Sequence, residues 1–362
     1  MKHPDEIMKK ALITGITGQD GSYLAEFLLE KGYDVFGMHR RSSVDGHHER
    51  IEHLRGKLNL VCGDLLDYYS LEKVVKEVNP DEIYNLAAQS QVRTSFDQPS
   101  TTREINWFGV ERLLDVVKKY APNARVYQAS TSEMFGNIVE SPQDEKTPFN
   151  PVSPYGESKL RAHEAVKRAR EEGMFACAGI LFNHESPRRG IEFITRKVTD
   201  GVARIKLGLP QRDTGHRYLE VGNLDAERDW GFAKDYVEAM WEILQQEKPK
   251  DYVIATGETH SVRELIEEAF SFAEIPLTWE GNGLNEIGKY NGETLVKINP
   301  NFFRPNELHR LKGNPSLAIK ELGLKQKTTF KELVQLMTES DLEKIGNLRN
   351  ENKIIKLKNK LS

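Results

Sequence analysis

The sequence predicts an α/β protein with a doubly wound parallel sheet and a smaller mixed domain towards the carboxyl end. Three features lead to this expectation: short apolar runs alternate with segments of helical period, a glycine-rich turn follows the first run, and the alternation breaks after Phe182. Strand and helix in steady alternation favour parallel strands with helices on both faces of the sheet. At 362 residues the chain has room for two domains.

Six short apolar runs are the expected strands, at residues 11–14, 34–38, 58–63, 82–88, 125–130 and 175–182. The segments between them have helical period and carry the usual end signals. Gly32 and Gly173 close the first and last helices, whereas Ser70 opens the second and Pro80 ends it. Beyond these, EFITRKVTDGVARIKLG and AKDYVEAMWEILQQ are expected helices and YVIATG an expected strand.

This succession sets the expected domain boundaries. We expect a dinucleotide-binding domain of the Rossmann type over residues 9–187 and about 220–258, and a substrate domain over about 188–219 and 259–346. Residues 347–362 carry five Lys or Arg and one Glu, which is typical of a basic, solvated and mobile tail.

Composition limits the class of function. The net charge of −4, from 51 basic and 55 acidic residues, favours neither a nucleic-acid nor a membrane partner. The amino terminus MKHPDEIMKK lacks the apolar core of a signal peptide, and no apolar run approaches the roughly 20 residues of a membrane span. Cys62 and Cys177 lie in strand-like segments, where buried thiols are expected. We therefore expect a cytoplasmic protein.

Three glycines spaced three apart follow the first expected strand, in GITGQDGSY (Gly15, Gly18 and Gly21). Such a turn lets the backbone approach a pyrophosphate and points helix N-terminal N–H groups at it. The spacing departs from the Gly-x-Gly-x-x-Gly fingerprint, and an ordinary loop could have the same composition. Its place at the first strand–helix junction favours dinucleotide binding.

The residues after the second and third strands bear on the identity of the dinucleotide. Arg40 lies 19 residues after Gly21, where an acidic residue favours NAD and an arginine favours the 2′-phosphate of NADP. Solvated surface arginines at Arg40 and Arg41 are the alternative. Asp64 and Leu65 are placed to contact the adenine ring, unless Asp64 is a plain turn residue.

Two stretches carry the expected chemistry. In SPYGESKLRAH, Tyr155 and Lys159 lie four apart and share a helix face, so the ammonium can lower the tyrosine pKa and make the phenol a general base. In ASTSEMFG, Thr131, Ser132 and Glu133 follow the fifth strand, whose carboxyl end faces the ligand crevice. The alternatives are a half-buried Tyr beside a surface Lys and a helix-capping trio.

Longer motifs extend along most of the chain: GITGQDGSYL, LAAQSQV, QASTSEMFG, SPYGESK, GILFNHESPRRG, FITRKV, NLDAERDWGFAKDYVEAMW and FFRPNE. Together they resemble the GDP-mannose 4,6-dehydratase family, of the extended short-chain dehydrogenase/reductase superfamily. The resemblance covers residues of about 9 to 342, and NHESPRRG and TSE are its specific stretches.

The resemblance implies an NADP-dependent lyase that converts GDP-mannose to GDP-4-keto-6-deoxy-mannose, a step towards fucose-like deoxysugars. Hydride passes from C4 of the sugar to NADP and returns to C6 as water is lost. Tyr155 removes the C4 hydroxyl proton, Lys159 stabilises its phenolate, Thr131 bonds the C4 oxygen and Glu133 removes the C5 hydrogen.

The remaining site residues fall into two groups. The expected cofactor site contains, with the catalytic pair, Gly15, Thr17, Gly18, Gln19, Asp20, Gly21, Arg40, Asp64, Leu65, Leu86, Ser90, His184 and Arg189. The nucleotide-sugar positions implied by the resemblance are Ser90, Asn183, Lys197, Arg228, Arg304 and Glu307. Arginine suits a diphosphate because it binds phosphate in a bidentate manner, although structural ion pairing is the alternative.

Several departures from the family pattern leave the sugar and the oligomer open. SPYGESK stands where the family has SPYAVAK, DTGHRY at 213–218 resembles a small insertion, and the loop at 39–54 differs from the family loop that packs subunits into tetramers. That loop keeps Arg-Arg-Ser-Ser, so we expect a dimer or tetramer. Its histidines (His47, His48 and His53) lack supporting ligands, and we expect no metal. A GDP-heptose dehydratase, a 4-epimerase and a silent NADP-binding scaffold are the rival functions.

Overall fold

The computed structural model describes residues 8–43, 48–302 and 310–361. The described chain forms two compact units. The first comprises the described residues within Met1–His184, Gly231–Glu258 and Leu311–Lys327. The second comprises those within Glu185–Trp230, Thr259–Arg310 and Thr328–Ser362.

The elements, numbered in chain order, are as follows. The helices are α1 (Gln19–Glu30), α2 (Tyr68–Val78), α3 (Val92–Asp97), α4 (Pro99–Arg103), α5 (Gly109–Tyr120), α6 (Pro154–Glu171), α7 (Ile194–Lys206), α8 (Ala233–Gln245), α9 (Val262–Phe272), α10 (Ser316–Leu322) and α11 (Phe330–Leu361). The strands are β1 (Lys10–Thr14), β2 (Asp34–His39), β3 (Asn59–Cys62), β4 (Glu82–Asn85), β5 (Arg125–Thr131), β6 (Ala176–Leu181), β7 (Asn183–Glu185), β8 (Leu219–Val221), β9 (Glu227–Arg228), β10 (Trp230–Phe232), β11 (Tyr252–Ile254), β12 (His260–Ser261), β13 (Thr278–Glu280), β14 (Ile287–Tyr290), β15 (Glu293–Ile298) and β16 (Arg310–Leu311).

The first unit is built on a seven-stranded parallel sheet in the order β11-β6-β5-β4-β1-β2-β3. Successive residues of β1 point to opposite faces: Ile13 packs in an apolar core with α1 and α8, and Leu12 in a second core with α2, α5 and α6. The doubly wound fold is therefore confirmed. Strand order reverses between β1 and β4, and ligands of such sheets bind at the carboxyl ends of the strands beside that reversal.

The second unit is smaller and mixed. Its sheet has the order β13-β14-β15-β8, antiparallel except for the parallel pair of β15 and β8. Apolar side chains of α7, α9 and α11 pack with this sheet, Val198, Leu265, Val296 and Val334 among them.

The division of the chain differs from the predicted one in four places. Residues 185–187 belong to the second unit, which begins at Glu185. Residues 220–230 belong to the second unit, because Val221, Leu224 and Trp230 pack into its core. Leu311–Lys327 belongs to the first unit, where Ala318 and Leu322 of α10 join the core beneath α8. The backbone of α11 continues to Leu361, so a helix occupies most of the stretch expected to be a tail.

Candidate active site

The glycine loop joins β1 to α1 in the first unit. Gly15 has a φ of +70°, and a methyl group on it would lie 2.8 Å from the Ala87 backbone nitrogen, just after β4. A methyl on Gly21 would collide with the Gly15 carbonyl oxygen, whereas one on Gly18 would contact that oxygen at 3.1 Å. The first glycine therefore makes the turn, and the third permits close packing of the helix against it.

The first turn of α1 is tied to the chain just after β6. His184 Nε2 lies 2.9 Å from the Asp20 carboxylate, and its Nδ1 lies 2.8 Å from the Phe182 carbonyl oxygen. The Gln19 side-chain amide donates to the His184 carbonyl oxygen at 3.0 Å. Three predicted cofactor residues, Gln19, Asp20 and His184, are thus brought together beside the glycine loop.

The end of β2 supplies exposed cations. Arg40 and Arg41 follow this strand directly, and both are exposed. A third arginine contacts the loop itself, since Arg50 Nη1 donates to the Thr17 carbonyl oxygen at 3.3 Å. Sequence reasoning missed Arg50, because no motif or spacing relates it to the glycine loop.

The predicted adenine contacts differ in exposure. Asp64 is half-buried and its carboxylate accepts from the Leu66 backbone N–H at 3.0 Å, as a turn residue does. Leu65 is buried in the core with α2 and α5. Leu86 is half-buried beside the glycine loop, and Ser90 is exposed.

Thr131 and Glu133 lie at the carboxyl end of β5. The Thr131 hydroxyl accepts from the Glu133 backbone N–H at 3.3 Å and caps a short turn at Ser132–Met134. Thr131 is buried and Glu133 half-buried. The capping alternative therefore holds for the Thr131 hydroxyl, which bonds the backbone of Glu133 and not its carboxylate.

Helix α6 carries the predicted catalytic pair. It begins at Pro154 after Ser153, whose hydroxyl accepts from the Gly156 N–H at 3.0 Å. Tyr155 and Lys159 are both buried, and Lys159 Nζ lies 6.0 Å from the centroid of the Tyr155 ring. Burial lowers the pKa of Lys159 from its ordinary value of 10.5 to about 8, although the Asp20 carboxylate opposes this shift.

A row of buried polar side chains, missed from the sequence, crosses the sheet to Lys159. Thr14, Asn85 and Gln128 are register partners on β1, β4 and β5. Thr14 donates to the Asn85 side-chain carbonyl at 2.6 Å, and the Asn85 amide donates to that of Gln128 at 2.7 Å. The Ala129 carbonyl oxygen then accepts from both Gln128 Nε2 and Lys159 Nζ, each at 2.9 Å. The row fixes the carbonyl that holds the ammonium.

One helical turn beyond Lys159, His163 makes a second buried contact between α6 and β5. Its Nδ1 lies 3.1 Å from the Ser130 hydroxyl, and its Nε2 lies 3.8 Å from Asp251, which is paired with Arg170. Burial lowers the pKa of His163, against the opposing effect of Asp251. The contact holds α6 against the strand that carries Thr131.

In the second unit, two of the cations predicted to bind ligands form ion pairs with acidic residues of the same chain. Arg189 Nε lies 3.1 Å from the Glu185 carboxylate, and Lys197 Nζ lies 3.0 Å from that of Asp213. Arg228 is buried on β9 and donates to the Glu227 carbonyl oxygen at 2.8 Å.

The other predicted substrate residues lie elsewhere. Asn183 is half-buried at the start of β7, in the first unit. Arg304 and Glu307 lie outside the described residues.

The described residues contain no group of three or more His, Cys, Asp or Glu side chains placed to hold a metal ion, and His53 instead lies 2.5 Å from Glu26. His47 lies outside them. None of the helices in these parts of the chain is both long and apolar enough to cross a bilayer.

A parallel sheet with a glycine loop after its first strand and a Tyr-x-x-x-Lys helix beside its fifth defines a Rossmann-type protein of the short-chain dehydrogenase/reductase class. The GDP-mannose 4,6 dehydratase family model matches residues 12–337. The GDP-mannose 4,6 dehydratase of Drosophila melanogaster is 52% identical over 348 residues, covering 92% of this chain and 86% of the fly protein. This chain belongs to the GDP-mannose 4,6-dehydratase family.

Solved structures share the fold at lower identity. The UDP-glucose 4-epimerase of Thermotoga maritima, with UDP-glucose, has a TM-score of 0.78 and 21% identity, covering 93% of this chain and 99% of that one. The RMD protein of Pseudomonas aeruginosa, complexed with NADPH, has a TM-score of 0.71 and 22% identity, covering 93% of this chain and all of that one.

Proposed function

We propose that this protein is an NADP-dependent lyase that converts GDP-mannose to GDP-4-keto-6-deoxy-mannose. The observation that carries the proposal is the buried pair of Tyr155 and Lys159 on α6, which packs beside β5. That strand ends at Thr131, and Glu133 lies in the short turn that follows it. A simple dehydrogenase needs only the base and its cation. An additional carboxylate suits a reaction that must also remove the C5 proton of the sugar and deliver it to the C6 hydroxyl, which leaves as water.

The residues of the first unit fit a nicotinamide dinucleotide. The glycine loop leaves open backbone where a pyrophosphate would lie, and Gln19, Asp20 and His184 are held beside it. Arg40 favours NADP over NAD, and Asp64, Leu86 and Ser90 complete the proposed contacts. When bound, this cofactor accepts the C4 hydride of the sugar and returns it to C6.

The chain's own residues move the protons. Tyr155 takes the proton of the C4 hydroxyl as the C4 ketone forms, and Lys159 stabilises the phenolate. The ketone acidifies the C5 hydrogen, which Glu133 removes and passes to the departing C6 hydroxyl, so that one water leaves. Tyr155 then returns a solvent-exchanged proton to C5, and Thr131 holds the C4 oxygen throughout.

Substrate recognition in this proposal uses cations. Lys197 and Arg228 of the second unit, with Arg304 and Glu307, are the proposed contacts to the diphosphate and guanosine, and Ser90 and Asn183 contact the sugar. We also propose a cytoplasmic homo-oligomer, a dimer or tetramer, built around residues 39–54. Sedimentation at micromolar concentration tests the assembly, and a monomer would contradict it.

The decisive experiment is incubation of the purified protein with GDP-mannose and NADP in heavy water. We expect NMR to detect a 4-keto-6-deoxy sugar with deuterium at C5 and the original C4 hydrogen at C6. The Glu133→Gln variant should stop after the first hydride transfer and accumulate reduced cofactor. Glu157→Gln, which removes an exposed carboxylate from the first turn of α6, is the matched control and should turn over normally.

Each rival function predicts a different result. A 4-epimerase would return the sugar with C6 unchanged, a GDP-heptose dehydratase would leave GDP-mannose untouched while dehydrating the heptose, and a silent scaffold would bind NADP without reducing it. Arg40→Asp tests the cofactor: the ratio of the NADP and NAD dissociation constants should invert, and an unchanged ratio would remove Arg40 from the site.

A further inference from the structure

Lys197, a proposed diphosphate contact, is already paired with an anion of its own chain. It lies on α7 with 20% of its side chain exposed, and its Nζ is 3.0 Å from Asp213 Oδ2. The same ammonium lies 3.7 Å from the centroid of the Phe302 ring. The ammonium of Lys197 therefore has an anionic and an aromatic partner within its own chain.

The segment that carries Asp213 is anchored on both sides of that residue. Before it, Arg212 Nε donates to the buried Asp200 of α7 at 2.9 Å, and the Gln211 amide donates to the Gly201 carbonyl oxygen at 3.1 Å. After it, the His216 carbonyl oxygen accepts from the Gln211 backbone N–H at 2.8 Å. This is the DTGHRY segment that departs from the family pattern, so its fold places a carboxylate on Lys197.

The ionisation of Asp213 supports its pairing with Lys197. Partial burial alone would raise the pKa of Asp213, but the hydrogen bond and the charge of Lys197 lower it below its ordinary value. The carboxylate is therefore ionised at neutral pH. A phosphate that approaches Lys197 must either displace this carboxylate or bind beside a like charge.

We propose that Asp213 competes with the diphosphate of the nucleotide sugar for Lys197. The inference rests on the proposed function, since it takes Lys197 as a diphosphate contact. Asp213 weakens the binding of substrate and product and selects for dianionic ligands, because a singly charged anion gains little by replacing a carboxylate that is already in place. It acts through Lys197 and takes no part in the proton transfers.

The test is titration of the protein, saturated with NADP, with GDP, GDP-mannose and inorganic pyrophosphate. Asp213→Asn should tighten the binding of all three by about 1.5- to fivefold, the range that corresponds to the roughly 0.2–1 kcal/mol typical of a partly exposed ion pair. In turnover it should lower KM and leave kcat unchanged or reduced, because product release slows. A purely structural role would instead lower the melting temperature and raise KM.

Two further variants locate the effect. Glu280→Gln is the control: it removes a carboxylate from a similarly exposed ion pair with Lys289 in the same unit. It should leave the dissociation constants of all three probes unchanged. In a Lys197→Met background, Asp213→Asn should have no effect on the dissociation constants. An undiminished effect there, or unchanged affinity in Asp213→Asn alone, would overturn the inference.

Failure of the proposed function gives a different pattern. A protein that binds pyrophosphate but not GDP-mannose would contradict the proposed substrate, and the response of pyrophosphate binding to Asp213→Asn would still decide the competition. If neither the parent nor Asp213→Asn binds any of the three probes, the competition is refuted as well.

Discussion

Replacing Lys159 by methionine should make the protein more stable and inactive. Lys159 is 4% exposed, and methionine matches its length without the charge. The lowering of the Lys159 pKa from 10.5 to about 8 corresponds to a cost of about 3 kcal/mol for keeping the ammonium in the folded state. The lost hydrogen bond to the Ala129 carbonyl oxygen is worth about 1 kcal/mol, and that oxygen still accepts from Gln128. We expect Lys159→Met to gain about 2 kcal/mol at neutral pH.

The pH dependence gives this prediction its signature. The pKa of Lys159 is lower in the folded chain than in the unfolded chain, so between about pH 8 and 10.5 the unfolded chain binds more protons. The stability that the parent lacks at neutral pH therefore returns as pH rises through this window. Lys159→Met has no such group, and its advantage should shrink steadily and vanish before pH 10.5.

The assay is urea unfolding of the cofactor-free protein, followed by circular dichroism at several pH values from neutral to alkaline. Lys57→Met, at an exposed lysine of the same unit, is the control and should change the free energy of unfolding by less than about 0.5 kcal/mol. Turnover by Lys159→Met should fall about a hundredfold or more. A destabilised variant at neutral pH, or an advantage that does not vary with pH, would refute the reasoning.

Three other substitutions test the scaffold. Gly15→Ala should lower the free energy of unfolding by more than about 2 kcal/mol and weaken NADP binding at least about tenfold, because it combines a positive φ with a clash at Ala87. The control Gly56→Ala, with φ +77° and open space around it, should lose only about 1 kcal/mol. Equal losses would contradict the role of the clash. The buried Glu82 carboxylate accepts hydrogen bonds from the side chains of Lys9, Tyr33, Tyr84 and Gln245. Glu82→Leu should therefore lower the free energy of unfolding in urea by about 3–5 kcal/mol. A loss below about 1 kcal/mol would show that these donors find other partners. Gln128→Met should lose about 1–3 kcal/mol by leaving the Asn85 amide without its acceptor, and reduced turnover at unchanged KM would accompany it if the row positions Lys159.

The sequence predicted the elements of the first unit well because their signals are local. The expected first strand at 11–14 corresponds to Lys10–Thr14, and the fifth at 125–130 to Arg125–Thr131. The fourth was expected to reach residue 88 but ends at Asn85. The backbone N–H groups of Leu86 and Ala87 donate to the Thr14 hydroxyl instead of continuing the ladder, at 3.1 and 3.0 Å, and nothing in the run itself signals this.

The candidate site was predictable only where a motif is contiguous. The glycine loop and Tyr155–Lys159 are each contained in one short segment. The contact between Asn85 and Gln128 joins residues 43 apart and depends on the register of two strands, which composition does not determine. The same holds for the ion pair of Lys197 and Asp213, because the resemblance marked Lys197 as a substrate position but no motif or spacing paired it with Asp213.

The interruption of the first unit by the second has a consequence for how the protein is made. On the ribosome, β1 to β6 are synthesised well before β11, which completes the sheet on the outer side of β6. All six residues of β6 are buried in the finished protein, so the nascent chain presents an apolar, unpaired strand edge until Tyr252–Ile254 has emerged. The last piece, α10, comes from still later in the chain and covers part of the core beneath α8. Stalled or truncated chains that end before residue 250 should therefore be substrates for chaperones and prone to aggregation, and the first unit reaches its final form only after most of the second has been translated.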